Sequence, residues 1–216
     1  MQDFSEARQM MVASQLRSRG ITDQCVLEAM LRVPRDRFVP EAYRAEAYQD
    51  HPLPIGHGQT ISQPYVVALM LQLLQVLPND VVLEVGTGSG YATVLLAELA
   101  RQVFSIERHE ALAANARSVV DALAYRNVEI IAGDGAQGLP EHAPFDAILV
   151  SAAASHPPPA LLSQLRDGGH MVIPVGNSES QQLQLVRVEA GRIAIQLCEF
   201  VRFVPLISGT DKAGQE

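Results

Sequence analysis

Through its second half this chain alternates short runs of aliphatic and β-branched residues with longer amphipathic stretches. Apolar runs at 81–85, 103–107, 128–132, 147–150 and 170–175 have the length and continuity of strands buried on both faces. Between them, apolar positions at helical spacing predict helices over 91–100, 110–124 and 159–165. Such alternation argues for parallel βαβ units with helices on both faces of one sheet. The last two strand-like runs, 182–188 and 193–203, are separated by Glu189-Ala190-Gly191 and read as an antiparallel hairpin that closes the sheet.

The first 78 residues are patterned differently. Met10, Met11, Ala13 and Leu16 give 5–19 a loosely helical spacing. Thr22 or Asp23 can cap a second helix, running to about residue 31 and ended by Pro34. The stretch 40–64 is polar, proline-punctuated and carries Gly56 and Gly58, so it is too irregular for one long element. An apolar helix follows over 63–77, with Ser62 at its N-cap position and Pro78-Asn79-Asp80 as the turn behind it. The expected organisation is one compact unit: a helical extension with a substrate loop (1–78), an α/β domain (79–208) and a flexible tail (209–216).

Composition narrows the function. With 48% apolar residues the chain can fill a core, although Trp is absent. The formal net charge is −8, lysine occurs only at 212, and the arginines are scattered. A nucleic-acid binder carries a basic stripe, so intact nucleic acid is disfavoured as a partner. Cys25 and Cys198 lie far apart with no metal-ligand spacing, and read as two buried thiols in a reducing compartment. No metal site is expected. The N-terminus lacks a basic cap followed by an apolar run, and no apolar stretch reaches the roughly 20 residues that span a bilayer. A cytoplasmic protein with no membrane partner, acting as a monomer, is expected.

The candidate chemistry lies at strand ends. The strand 81–85 runs into Gly86-Thr87-Gly88-Ser89-Gly90, with a helix behind it. Ligands of open α/β sheets bind beyond the carboxyl ends of the strands, where glycines let the backbone turn tightly and approach a ligand. A dinucleotide site prefers G-x-G-x-x-G, but here the spacing is G-x-G-x-G and Tyr91 takes the place of the third glycine. Glu84 stands just before the loop, and a carboxylate suits a cationic amino group or sulfonium better than a pyrophosphate. S-adenosylmethionine is therefore favoured over NAD. Glu107 ends the next strand, where it can accept from a ribose diol. Asp134, in Gly133-Asp134-Gly135, follows the third strand and can accept from an adenine amino group.

A further run, Leu53-Pro54-Ile55-Gly56-His57-Gly58-Gln59-Thr60-Ile61-Ser62-Gln63-Pro64, resembles the signature of the protein-L-isoaspartate O-methyltransferase family. The resemblance covers nearly the whole chain. It takes in Arg19-Gly20-Ile21, Val33-Pro34-Arg35 with Phe38-Val39-Pro40, and Val82 through Tyr91. Downstream it takes in Ala143-Pro144-Phe145-Asp146, Ile173-Pro174-Val175-Gly176 and Arg202-Phe203-Val204-Pro205-Leu206. Departures are small: Ser151 stands where many relatives have Thr, and His57 where relatives often have Gln.

The resemblance implies a Rossmann-like methyltransferase fold and methyl transfer from S-adenosyl-L-methionine to the carboxylate of L-isoaspartyl residues in damaged proteins, leaving S-adenosyl-L-homocysteine. It implies Ser62 as the catalytic residue. Cofactor contacts would come from Thr60, Ile61, Ser62, Glu84, Gly86, Thr87, Gly88, Gly90, Glu107, Asp134 and Gly135. A carboxylate acceptor is already ionised at neutral pH, so the lack of an evident general base agrees with this chemistry. Two rivals stay open: methylation of another carboxylic acid, and a module that binds damaged protein without turnover.

Overall fold

The computed structural model describes residues 3–210, so most of the expected tail, 211–216, lies outside the described residues. Helix α1 (Ser5–Met10) continues through a π-helical turn at Met11–Leu16 and a 3-10 turn at Arg17–Arg19. Helix α2 (Gln24–Arg32) is capped by Asp23, whose carboxylate accepts from the Val26 amide at 3.1 Å. After 3-10 turns at Arg35–Phe38 and Glu41–Glu46, β1 (Leu53–Gly56) and β2 (Gln59–Ile61) form a small antiparallel hairpin. Helix α3 (Pro64–Leu74) follows.

The main sheet then builds strand by strand. It contains β3 (Val81–Val85), β4 (Gln102–Glu107), β5 (Val128–Ala132) and β6 (Phe145–Val150), with helices α4 (Tyr91–Leu99) and α5 (Glu110–Ala122) between the first three. A short α6 (Pro159–Leu162) leads to β7 (Leu165–Gly176), β8 (Gln181–Glu189) and β9 (Arg192–Val201). Spatial order is β5-β4-β3-β6-β7-β8-β9, parallel through β7 and antiparallel for β8 and β9. The chain starts at β3, winds outward through β4 and β5, then crosses to β6 on the other side. The crevice beyond the carboxyl ends of β3 and β6 is thus the topological switch point, where such sheets hold ligands.

Strand alternation sorts the residues of β3 onto two faces. Val82 joins a core that also contains Met11, Leu27, Phe38 and Leu71 of the N-terminal extension and Leu95 of α4. Leu83 and Val85 join the opposite core, with Ile148, Leu161 and Ile173. The extension therefore shares one core with the sheet. Glu84 falls on the same face as Val82, against α4.

Five expectations need correction. Gln63, not Ser62, holds the N-cap position of α3, and no side chain caps that helix; Pro64 at its first position needs no partner for an N–H. The helix ends at Leu74, three residues early, because Gln75 turns left-handed at φ 54°. Helix α6 stops at Leu162 because Leu165 already pairs with Phe145 as the first residue of β7. Strand β9 stops at Val201 because the Gln181 side-chain amide takes over the backbone of Phe203, accepting its N–H at 2.6 Å and donating to its carbonyl at 3.1 Å. Nor are the thiols both buried: Cys25 is exposed and Cys198 half-buried, and both are free of disulfides.

Candidate active site

Glu84 is fully buried at the end of β3. Its Oε2 accepts from Thr93 of α4 and, at 2.6 Å, from Ser105 of β4. Ser105 is also bonded to Thr87 of the glycine loop. Each hydroxyl has one proton, and Ser105 spends its own on Glu84. Thr87 is therefore the donor to Ser105, and the chain of donors ends on the carboxylate. The other oxygen, Oε1, is buried without a partner. Burial pushes this carboxyl up to about 7, against the pull of its two hydroxyl donors, and Glu107 adds to the rise.

The loop that follows needs its glycines. Gly88, at φ 53°, donates its amide to Glu107 Oε2 at 2.9 Å, and Gly90, at φ 85°, caps α4 in the left-handed region. Glu107 Oε1 accepts from the His109 amide at 3.0 Å. Two backbone donors thus fix a carboxylate that is 5% exposed, with lone pairs left for a ligand diol. Beyond β5, half-buried Asp134 caps a 3-10 turn at Gly135–Gln137, accepting from the Ala136 amide at 3.0 Å. This brings Gly135 so close to β3 that a Cβ there would lie 2.6 Å from Val85 Cγ1.

Most of these groups line a pocket of about 210 Å³ at the switch point. Thr60, Ile61, Ser62, Glu84, Gly86, Thr87, Gly88, Glu107 and Gly135 all border it, whereas Gly90 and Asp134 do not. The β1–β2 hairpin lies over it. Ile55 Cδ1 comes within 3.3 Å of where a Cβ of Gly88 would be, and the His57 and His109 rings are 5.5 Å apart. The pocket fits an adenosyl amino acid. The glycine backbone permits close approach, Glu107 offers acceptor sites for a diol, and the unpartnered Glu84 oxygen suits an ammonium.

A wider groove of about 1240 Å³ opens beside it. Thr60, Ser62, Ser151 and residues 203–206 border both spaces. The Ser62 hydroxyl, free of any capping role, therefore stands where the two meet. The segment Arg202–Leu206 is groove wall, held by Ala153, whose N–H donates to Val204 at 2.8 Å and whose carbonyl accepts from Leu206 at 2.7 Å. Glu199 of β9 accepts from the Tyr65 hydroxyl at 2.9 Å, and the Arg19 guanidinium lies 3.5 Å above the Tyr65 ring. Sequence reasoning about the pocket missed His109, whose ring position depends on the hairpin fold. It also passed over Arg35, noted only as part of a matching motif; its buried bond to the Ser62 carbonyl joins positions 27 residues apart. Among the described residues no cluster of His, Cys, Asp or Glu could hold a metal ion.

Sheets wound in this order, with acids at the crevice in place of a third glycine, belong to Rossmann-like, S-adenosylmethionine-dependent methyltransferases, and that is the class this fold and site define. A family model described as Protein-L-isoaspartate(D-aspartate) O-methyltransferase matches residues 6–211, and the chain belongs to that family. The protein-L-isoaspartate O-methyltransferase of Koribacter versatilis is 55% identical over 204 residues, covering 94% of this chain and 92% of that protein. A solved structure from Plasmodium falciparum named for the same activity, in complex with S-adenosyl-L-homocysteine, superposes with a TM-score of 0.80 at 29% identity. That match covers 96% of this chain and 99% of the other. Another solved protein-L-isoaspartate O-methyltransferase gives a TM-score of 0.83 at 26% identity over 92% of this chain, which spans 65% of that longer protein.

Proposed function

We propose that this chain transfers a methyl group from S-adenosyl-L-methionine to the carboxylate of L-isoaspartyl residues in damaged proteins, with Ser62 orienting the acceptor. The observation that carries this reading is the position of Ser62, at the border between a ligand-sized pocket lined by acids and a groove wide enough for a chain segment. S-adenosyl-L-methionine, when bound, supplies an electrophilic methyl on a sulfonium and leaves as S-adenosyl-L-homocysteine.

The remaining work is positional. An isoaspartyl carboxylate is ionised at neutral pH, so no base is required. Ser62 donates its hydroxyl proton to one carboxylate oxygen, leaving the other to attack in line with the methyl–sulfur bond. A neutral donor orients the nucleophile without quenching it. Ser62 is not itself the nucleophile, because among the described residues no His, Lys or carboxylate is hydrogen-bonded to its hydroxyl. Glu107 and Glu84 hold the donor's diol and ammonium, and the β1–β2 hairpin excludes water. In the released ester, the neighbouring chain amide nitrogen attacks the activated carbonyl and methanol departs. Hydrolysis of the resulting succinimide returns part of the product as normal aspartate.

The groove takes the peptide in extended form, through backbone pairing that tolerates varied sequence. The same reading has the chain act as a cytoplasmic monomer on peptide rather than nucleic acid. The net charge of −8 repels polyanions, and both walls of the site come from one chain. Among the described residues no helix is long and apolar enough to cross a membrane.

The test is a methyl-transfer assay on an isoaspartyl peptide and its normal aspartyl twin. Labelled ester on the first and little on the second is expected. Equal rates would overturn the assignment in favour of a general carboxyl methyltransferase, and absence of turnover on both would favour a binding module.

A further inference from the structure

Arg35 is an anomaly in the core. It is 0% exposed, yet its Nη1 has no partner and among the described residues no carboxylate forms an ion pair with it. The acid that acts on it from further away, Asp50, is itself paired with Arg19. Burial lowers the guanidinium only to about 10, so it stays charged at neutral pH. A buried charge without a counter-charge is destabilising, and an apolar side chain of similar volume would fill the space without that penalty. The arginine must therefore do something that a methionine there could not.

Its contacts show what that is. Nε donates to the Ala47 carbonyl at 2.7 Å and Nη2 to the Ser62 carbonyl at 2.8 Å. The guanidinium carbon lies 5.0 Å from the centre of the Tyr91 ring, and Phe38, on the same 3-10 turn, packs against that ring at 5.4 Å. Tyr91 is the first residue of α4, directly behind the glycine loop. One side chain thus ties the backbone of Ser62 to the helix that presents the cofactor loop. A planar fork with fixed donor directions sets that distance more tightly than apolar packing does.

We propose that Arg35 is a positioning residue for methyl transfer: it locks the Ser62 backbone against the head of α4, and so fixes the height of the hydroxyl above the cofactor pocket. This rests on the reading of Ser62 as the acceptor-orienting group. Misplacement of such a group by an ångström lowers turnover without weakening the binding of either substrate.

A double-mutant cycle tests it. Arg35→Met and Arg35→Lys are each made alone and combined with Ser62→Ala, and kcat, peptide KM and the S-adenosyl-L-homocysteine Kd are measured at a temperature where thermal unfolding shows all variants folded. Arg35→Met is expected to lower kcat roughly thirtyfold, with KM and Kd moving by less than about threefold. Arg35→Lys, whose ammonium can still reach the Ser62 carbonyl, should recover kcat to within about fivefold of the parent. In the Ser62→Ala background the Arg35→Met loss should shrink to less than about threefold, because the hydroxyl it positions is gone. A full loss in both backgrounds, or an unchanged kcat in Arg35→Met, would overturn the proposal. If Arg35→Met does not fold, Arg35→Lys carries the same cycle: its loss must vanish in the Ser62→Ala background, and an equal loss there overturns the proposal. Ser62→Ala alone separates the two ideas. If it costs turnover while the cycle is additive, only the Arg35 role falls; if it is silent, the Ser62 reading falls and takes the Arg35 role with it.

Discussion

On the cofactor side, the groups that matter are held by near neighbours on the glycine loop, α4 and β4: Gly88 and His109 amides fix Glu107, and Ser105 and Thr93 fix Glu84. On the acceptor side, Ser62 belongs to no regular element, and its carbonyl is held by Arg35 from a different part of the chain. The first wall is fixed by the sheet itself and follows wherever the strands pair. The second is fixed by the docking of the N-terminal extension, so it can move without disturbing the first. Donor binding and acceptor orientation should accordingly separate under mutation.

The sharpest way to break that comparison lies on the cofactor wall. Glu107→Ala removes two charge-assisted acceptors for the diol and frees the Gly88 amide. At roughly 1.5–3 kcal/mol for each bond to a charged group, the S-adenosyl-L-homocysteine Kd should rise about a hundredfold. Calorimetric titration measures it. A Kd unchanged from the parent would remove Glu107 from the diol site and with it the claim that the strand ends hold the donor.

The second test works on the acceptor wall. Ser62→Ala should lower kcat on the order of thirtyfold while the S-adenosyl-L-homocysteine Kd stays within about threefold. Because Gln63, not Ser62, occupies the cap of α3, the melting temperature should stay within about 2 °C of the parent. A loss confined to cofactor affinity would mean that the two walls are one. A clear loss of stability would restore to Ser62 the capping role that the structure denies it.

The same division explains what the sequence could reveal. The strands around the glycine loop were legible because continuous apolar runs, loop glycines and strand-end acids are local signals; Val81–Val85 and Val128–Ala132 have the boundaries their patterns predict. The cap of α2 was legible to within one residue, Thr22 or Asp23, for the same reason, and the structure selects Asp23. Arg35 was not, because a charged residue between Pro34 and Asp36 has no local mark of burial, and its place depends on how the extension docks. The end of β9 was equally hidden: Val201 and Phe203 keep apolar residues coming on either side of Arg202, and the side chain of Gln181, 22 residues away, takes over the backbone of Phe203. The exposed Cys25 was misjudged because thiols are more often buried than not.

The smallest expected effect on ligand binding or turnover probes the centre of the cofactor wall through pH. Glu84 has its folded-state pKa raised from 4.5 to about 7, by burial first and by Glu107 in addition. Between those values the folded protein holds a proton that the unfolded chain has released, so stability falls as pH rises from about 4.5 to 7 and levels off above. Wild type should therefore lose up to about 3 kcal/mol relative to Glu84→Gln between pH 4.5 and pH 8, measured by urea unfolding. Cofactor binding has the opposite sign. The ionised carboxylate receives the ammonium on its free oxygen, so the S-adenosyl-L-homocysteine Kd should tighten about tenfold from pH 6 to pH 8 in wild type, and stay flat in Glu84→Gln. A pH-independent Kd in wild type would mean that the unpartnered oxygen faces no ammonium. Glu84 would then be a scaffold for Thr87 and Ser105 alone, and the cofactor wall would owe its charge recognition to Glu107.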